Sequence, residues 1–275
     1  MVAPSTYSSG TVYTAWQQFV YNWAVITVSD TWFWVSNTKA DSNCDTNDIA
    51  IWSGVNIQVW AACNMWATTA VPFASTASVV SWNTTPDATE VSRIGYQYQW
   101  WRNDDTTAWA NIVGQYNWTL TSNSTSNNSF YKWDATSWEW YAPETWSTTP
   151  TRWNASNGGN NQGPCPNGYH VPTGWTSTNT TQWWKALTIA NSQTSFWTCS
   201  QSIVYDRIRC MLMLPLTGQR DWFTWVYTYQ WSYGYYWSSS PYNANAYLAR
   251  FTSGAAIISY DFARGYGLSV RCVRN

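Results

Sequence analysis

Over most of its length the chain alternates apolar and polar residues with a period of two, the pattern of half-buried β-strands. Residues 1 to about 50 do this with Val, Tyr, Phe and Trp set among Ser and Thr, which predicts short antiparallel strands followed by a loop at VSNTKADSNCDTND. Two further strands are predicted at Ile49 to Trp52 and Val55 to Trp60, around a Ser-Gly turn. The stretch from Ala74 to Glu90 is rich in Ser, Thr and Pro and reads as extended. Arg93 to Asp105 alternates aromatics and ends in an acidic, turn-prone tip. Thr119 to Asn161 has no clear periodicity and reads as a long variable loop or insertion. From Ile208 to Asn275 five runs read as strands: IRCMLMLPL, YYWSSSPY, NAYLARFTS, AAIISYDFA and GLSVRCVRN.

One segment changes period. NTTQWWKALTIA places Trp183, Leu187 and Ala190 on one helical face, with Asn179 as the expected N-cap, Gln182 at the third helical position, and Pro172 and Gly174 fixing the turn before it. A second helix before Cys199 fits the same region. The expected class is α+β, strand-dominated with one or two helices.

Composition narrows the function classes. The chain's 275 residues suffice for a sizeable core. Only 10% are charged, against about 25% in an ordinary soluble domain. A net charge of −1 without a basic cluster gives no source of phosphate neutralisation, so nucleic acid is not an expected partner. The first twenty residues lack a basic region and an unbroken apolar run, and the run from Trp23 to Val28 is too short to cross a bilayer. No membrane insertion is expected. The chain is therefore read either as intracellular or as a fragment beginning downstream of its signal. Six cysteines at 44, 63, 165, 199, 210 and 272 favour the second, an extracellular or cell-surface location, because an even set in such a chain reads as disulfides. Spacing alone does not give the pairing. The expected bridges are Cys44 with Cys63, Cys199 with Cys210, and Cys165 with Cys272.

Tryptophan is the anomaly: the chain carries 25 Trp and only 14 Gly. A turn-rich β chain needs backbone at positive φ, which glycine adopts without a Cβ clash. Trp66, Trp153, Trp222 and Trp231 are flanked by turn formers or small residues, where an indole is expected to clash or lie exposed. Two explanations follow: an aromatic surface built for stacking on sugars, or a stop-type codon written as Trp in a gene whose organism decodes it as glycine.

The candidate chemistry is thin. No cysteine pair has CxxC spacing and the chain has one histidine, so neither a metal nor a cofactor is expected. His170, in GYHVPT, lacks an adjacent nucleophile and carboxylate and reads as structural. Trp101 to Asp105 sets Asn103, Asp104 and Asp105 together; the bland reading is a solvated turn and the sharper one a weak calcium site. Arg220, Arg250 and Arg271 are expected to tie loops through paired hydrogen bonds. A binding surface is easiest to defend at Tyr235, Tyr236 and Trp237, with Asn103 and Asp104 beside them, since aromatic rings stack on sugar or peptide faces. Alternation sends Tyr235 and Trp237 to one side and Tyr236 and Ser238 to the other, so at least one set belongs to the core.

Four motifs in order carry a resemblance: CPNGYHVPTGW from Cys165, LPLTGQRD from Leu214, YGYYWSSS from Tyr233 and the closing GYGLSVRCVRN, with NIQVWAACNMWATTA and YQYQW upstream. Together they resemble the Fibrobacter succinogenes major paralogous domain family, a module of bacterial secreted and surface proteins. The resemblance covers residues 52–275, with the insertion at about 119–161, and leaves 1–51 as an N-terminal β-rich extension or the end of a preceding module. It implies glycine where this chain has Trp66, Trp101, Trp222 and Trp231, and tryptophan at Trp100 and Trp237. More distantly it implies a C-type-lectin-like fold, shared with the formylglycine-generating enzymes, in which the first and last strands pair and Cys165–Cys272 staples the early helix region to the last strand.

The function expected on these grounds is that of a non-enzymatic extracellular module of a bacterial surface or secreted protein, serving adhesion or ligand display, its partner a surface glycan or protein. A carbohydrate-binding module using exposed aromatics is the alternative. An oxidase of formylglycine-generating type, using Cys199 and Cys210 on copper, is a third.

Overall fold

The computed structural model describes residues 5–6, 18–21, 24–27, 34–35, 48–53, 56–67, 92–100, 153, 163–166, 168–174, 181–192, 204–221, 226–252 and 254–275. Strands β1 to β4 (Ser5–Thr6, Gln18–Tyr21, Ala24–Thr27, Trp34–Val35) come first, then β5 (Asp48–Ser53), β6 (Asn56–Ala61), β7 (Gln97–Gln99) and β8 (Tyr169–His170). Helices α1 (Gln182–Ser192) and α2 (Val204–Met211) follow. The chain closes with β9 (Thr217–Arg220), β10 (Tyr227–Gln230), β11 (Gly234–Tyr242), β12 (Asn245–Phe251), β13 (Ala256–Ala263), β14 (Gly267–Ser269) and β15 (Val273–Arg274).

The strands form three sheets. β1, β2 and β3 make a small one, in which β1 pairs parallel to β2. A five-stranded sheet runs β4-β5-β6-β15-β8, and a seven-stranded mixed sheet runs β10-β9-β14-β11-β12-β13 with β7 added on β14. The protein is therefore a strand-dominated α+β structure. β5 crosses the boundary expected at residue 52, and its Ile49 and Ile51 already belong to the main core.

The large sheet divides the interior in two because alternate residues face opposite sides. On one side Tyr236, Ala249, Phe251 and Ile258 pack with Trp60, Trp183, Ala186, Ile189, Ile208 and Met211, burying the helices against both large sheets. On the other side Tyr235, Trp237, Ala246 and Leu248 pack with Tyr98, Trp100, Trp153, Leu268 and Val270. The expected split of Tyr235 and Trp237 from Tyr236 is thus present, and each side is a core. Trp153, expected to clash or lie exposed, is instead fully buried and meets Trp100 edge-on at 5.9 Å.

Helix α1 begins later than its sequence suggests. Thr181 is the N-cap, its hydroxyl accepting from Trp184 N–H at 3.4 Å, while Asn179 lies outside the described residues. Gln182 is the first helical residue and reaches back to Thr173, accepting from Thr173 N–H at 2.7 Å while its own N–H donates to Thr173 Oγ1 at 3.1 Å. This fastens the HVPTG segment to the helix start. The buried face is Trp183, Ala186, Ile189 and Ala190, with Leu187 half-buried at its edge.

The run IRCMLMLPL is not a strand at its start. Ile208, Met211 and Leu212 recur at helical spacing, and all three are buried in the last turn and exit of α2. Met213 takes φ 47 and Leu214 N–H bonds Arg209 C=O at 2.8 Å, a Schellman closure with methionine at the left-handed position. Only Leu214 and Leu216 keep the alternation of extended chain. A helix thus follows Cys199, while the segment just before Cys199, where a second helix was expected, lies outside the described residues. The remaining C-terminal runs form strands as expected, except that GLSVRCVRN divides into β14 and β15, which belong to different sheets.

Candidate functional site

The closing strand brings several of the sequence motifs into one constellation. β15 pairs with β6 through Val273 and Trp60, and with β8 through Val273–His170 and Arg274–Tyr169. Ala61 N–H donates to Cys272 C=O at 2.9 Å. Cys165 and Cys272 are joined by a disulfide, as expected from the sequence. Cys63 is also disulfide-bonded, its partner being a cysteine whose side chain is not described. Cys44 and Cys199 lie outside those residues, as does the side chain of Cys210, so the copper-oxidase reading gains no geometry.

Arg271 is the buried hub of this junction. Its Nε donates to Asn64 Oδ1 at 2.9 Å, Nη1 to Ala61 C=O at 2.8 Å and Nη2 to Met213 C=O at 3.0 Å. Burial brings its pKa down to about 10, with the Tyr236 phenol opposing that shift. The Tyr236 hydroxyl donates to Pro215 C=O at 2.6 Å, and burial lifts its pKa to about 12. One guanidinium thus ties the start, middle and end of the fold, the role expected of it. Arg264 does similar work that the sequence did not signal: it donates to Asn245 C=O at 3.0 Å and Asn243 C=O at 2.6 Å, with its guanidinium 4.7 Å from the Trp100 ring centre.

His170 is held at both ring nitrogens by side-chain amides. Gln182 Nε2 lies 2.5 Å from its Nε2, and Asn275 Oδ1 lies 2.5 Å from its Nδ1. Gln182 Oε1 already accepts from Thr173, which leaves its amide nitrogen to donate to His170 Nε2 and leaves Nδ1–H for Asn275. These two amides orient the ring, and among the described residues no carboxylate side chain is bonded to it.

The sequence candidates for ligand binding separate. Tyr236 and Trp237 are fully buried, and the Trp237 indole donates to Tyr98 C=O at 2.7 Å. Asn103 and Asp104 lie outside the described residues. Tyr235, only 4% exposed, lies beneath an aromatic surface on its side of the large sheet. The rings run without a gap: Tyr229 meets Tyr233 at 5.3 Å, Tyr233 stacks on Tyr235 at 5.7 Å, and Tyr235 meets Phe262 at 5.2 Å. Phe262 in turn touches Tyr260 at 5.3 Å and stacks on Tyr266 at 4.7 Å. Tyr229 is 53% exposed; Tyr233, Tyr260, Phe262 and Tyr266 are half-buried.

Arg250 sits within this surface, opposite Tyr235 in the β11–β12 register. Its guanidinium carbon is 4.4 Å from the Tyr260 ring centre and 5.6 Å from that of Tyr233. Arg250 Nε is buried without a hydrogen-bond partner, and no described carboxylate pairs with the side chain. Asp261, the nearest acid along the strands, is paired opposite Tyr247 and accepts from Asn245 at 2.6 Å. Sequence reasoning found Tyr235 through its motif but missed its companions, because Arg250, Tyr260, Phe262 and Tyr266 come from two other strands and a turn. Period-two spacing of Tyr260 and Phe262 was the available signal.

Among the described residues no cluster of His, Cys, Asp or Glu could hold a metal ion, and no helix is long and apolar enough to cross a membrane. Comparison of the chain with family models, with curated proteins and with solved structures finds no match.

Proposed function

We propose that the chain is a non-enzymatic extracellular adhesion module of the Fibrobacter major paralogous type, on a lectin-like scaffold, that holds an acidic surface glycan against the aromatic face around Arg250. The observation that carries this reading is Arg250 itself: a cation among half-buried rings with no acidic partner among the described residues. Aromatic faces stack on the C–H faces of pyranoses, and a guanidinium in a water-poor setting binds a carboxylate more strongly than one in water. The pairing of the module's opening and closing strands, the Cys165–Cys272 bridge and the low charge support an extracellular scaffold of that type. Of the insertion at about 119–161, expected to vary among such modules, only Trp153 is among the described residues, and it is buried against Trp100.

The test is binding to an array of neutral and uronate-containing oligosaccharides. Binding of the acidic members, reduced at least tenfold by Arg250→Gln and by Tyr233→Ala with circular dichroism unchanged, supports the reading. Equal binding by Arg250→Gln, or no signal across the array, overturns it. Tyr247→Ala, on the opposite side of the sheet, serves as the control.

A further inference from the structure

The described backbone takes positive φ at four glycines, Gly95, Gly163, Gly168 and Gly218, and at five other residues, Trp66, Met213, Tyr229, Trp231 and Asn243. In that region the Cβ of an L-residue crowds its own backbone carbonyl, and for a bulky side chain the conformation is an outlier. Asn243 belongs to the residue type that tolerates it. Met213 is the left-handed residue of the α2 cap and lends its carbonyl to Arg271. The Tyr229 ring is part of the aromatic face. Trp66 and Trp231 remain, at φ 62 and 61.

Both sit where the backbone, and not the indole, makes the structure. Trp66 is the third residue of the turn Asn64–Ala67, closed by Ala67 N–H to Asn64 C=O at 3.0 Å, the position where a type II turn takes glycine. That turn cannot relax by unfolding locally, because Asn64 binds Arg271, Met65 N–H donates to Val270 C=O at 3.0 Å, and Met65 C=O accepts from Tyr96 N–H at 2.9 Å. The Trp66 side chain itself is 49% exposed, lying against the Tyr96 ring. Trp231 occupies the turn between β10 and β11, where its N–H donates to Leu216 C=O at 2.8 Å while the ring remains half-buried.

The other indoles behave differently. Trp60, Trp100, Trp153, Trp183 and Trp237 are fully buried. Trp100 donates to Ser238 C=O at 2.6 Å and Trp237 to Tyr98 C=O at 2.7 Å, while Trp60 packs on Trp183 at 4.7 Å. None of these five has positive φ. Deleting such a ring would empty the core; deleting those of Trp66 and Trp231 would relieve the backbone and leave the backbone hydrogen bonds of both turns in place.

We infer that the 25 tryptophans are of two kinds, and that Trp66 and Trp231 are glycine in the protein as its own cell makes it. The means is a stop-type triplet decoded there by a glycyl-tRNA, while the core tryptophans come from the ordinary Trp codon. This accounts together for the excess of Trp over Gly in a turn-rich chain and for the backbone at those two positions. The aromatic face around Arg250 contains only Tyr and Phe beside the arginine, so the proposed ligand surface stands or falls independently.

Peptide mass spectrometry of the protein from its native cells decides the matter. The expected result is glycine mass in the peptides spanning 66 and 231 and tryptophan mass at 60, 100, 183 and 237, with a stop-type triplet in the gene at the first two positions only. Tryptophan mass at 66 and 231 overturns the inference, as does one and the same codon at all six. Trp101 and Trp222, outside the described residues, are read in the same spectra. A recombinant comparison gives an independent readout: W66G/W231G should melt several degrees above the tryptophan-bearing chain, whereas W237G should melt far below it. A lower melting temperature for W66G/W231G also overturns the inference.

Discussion

Replacing Cys165 and Cys272 by alanine removes a cross-link that closes 107 residues. In the loop-closure relation a loop of this length restrains the unfolded chain by about 4.8 kcal/mol near room temperature. The folded side of the balance changes little, because the same ends are held by other bonds. Val273 pairs with both Trp60 and His170, Arg274 pairs with Tyr169, and Asn275 N–H donates to Gly168 C=O at 2.9 Å. The loss is therefore expected to come from the unfolded state: the double variant should lose about 4 to 5 kcal/mol, a large part of the roughly 5–15 kcal/mol of an ordinary domain. With 275 residues and an unfolding entropy of about 2.1 cal/mol/K per residue, the melting temperature should fall by roughly 8 °C. Urea unfolding supplies the assay. The midpoint should drop and the m-value rise, since the uncrosslinked chain exposes more surface. A loss below about 1 kcal/mol with unchanged m-value would refute the entropic argument. Loss of amide protection in β8 and β15 under native conditions would show instead that the bridge holds the folded strands together.

The Arg271 hub gives a second prediction: Arg271→Ala leaves the buried Asn64 Oδ1 and the half-buried Ala61 and Met213 carbonyls without this donor, and should cost about 3 kcal/mol or more by urea titration, with Arg271→Lys recovering only part. Thr181→Ala removes the N-cap of α1 and should cost about 1 kcal/mol, whereas an equal cost at Asn179 would restore the cap expected from sequence. Alkaline pH should destabilise the fold through Tyr236. Its folded pKa is raised from 10 to about 12, so its contribution is complete below pH 10 and is lost as pH rises from about 10 through 12. Arg271, brought down to about 10, acts in the opposite sense above that pH. Stability measured against pH should thus fall less steeply above pH 10 in Tyr236→Phe than in the parent; identical slopes would count against a buried phenol.

The chain's period-two pattern determined a strand-rich α+β structure, and its one helical run located α1, because side-chain alternation and helical spacing are local properties that survive without partners. The Cys165–Cys272 bridge was legible as one pairing among several, since a cysteine's type, but not its neighbour across the fold, is written in sequence. The helical start of IRCMLMLPL was misread because Ile208, Met211 and Leu212 share a short apolar run with the alternating Leu214 and Leu216, and only packing against α1 and the sheets selects between the periods there. Likewise Tyr236 and Trp237 invited a surface reading that their burial removes, whereas Tyr235 gained its setting from Arg250, Tyr260 and Phe262 on neighbouring strands. Such a face depends on strand register, which is fixed by long-range hydrogen bonding and by burial on both sides of the sheet. Composition alone raised the Trp–Gly imbalance; the φ angles at Trp66 and Trp231 were decided only by turns closed against Val270, Tyr96 and Leu216, contacts that exist once distant strands have met.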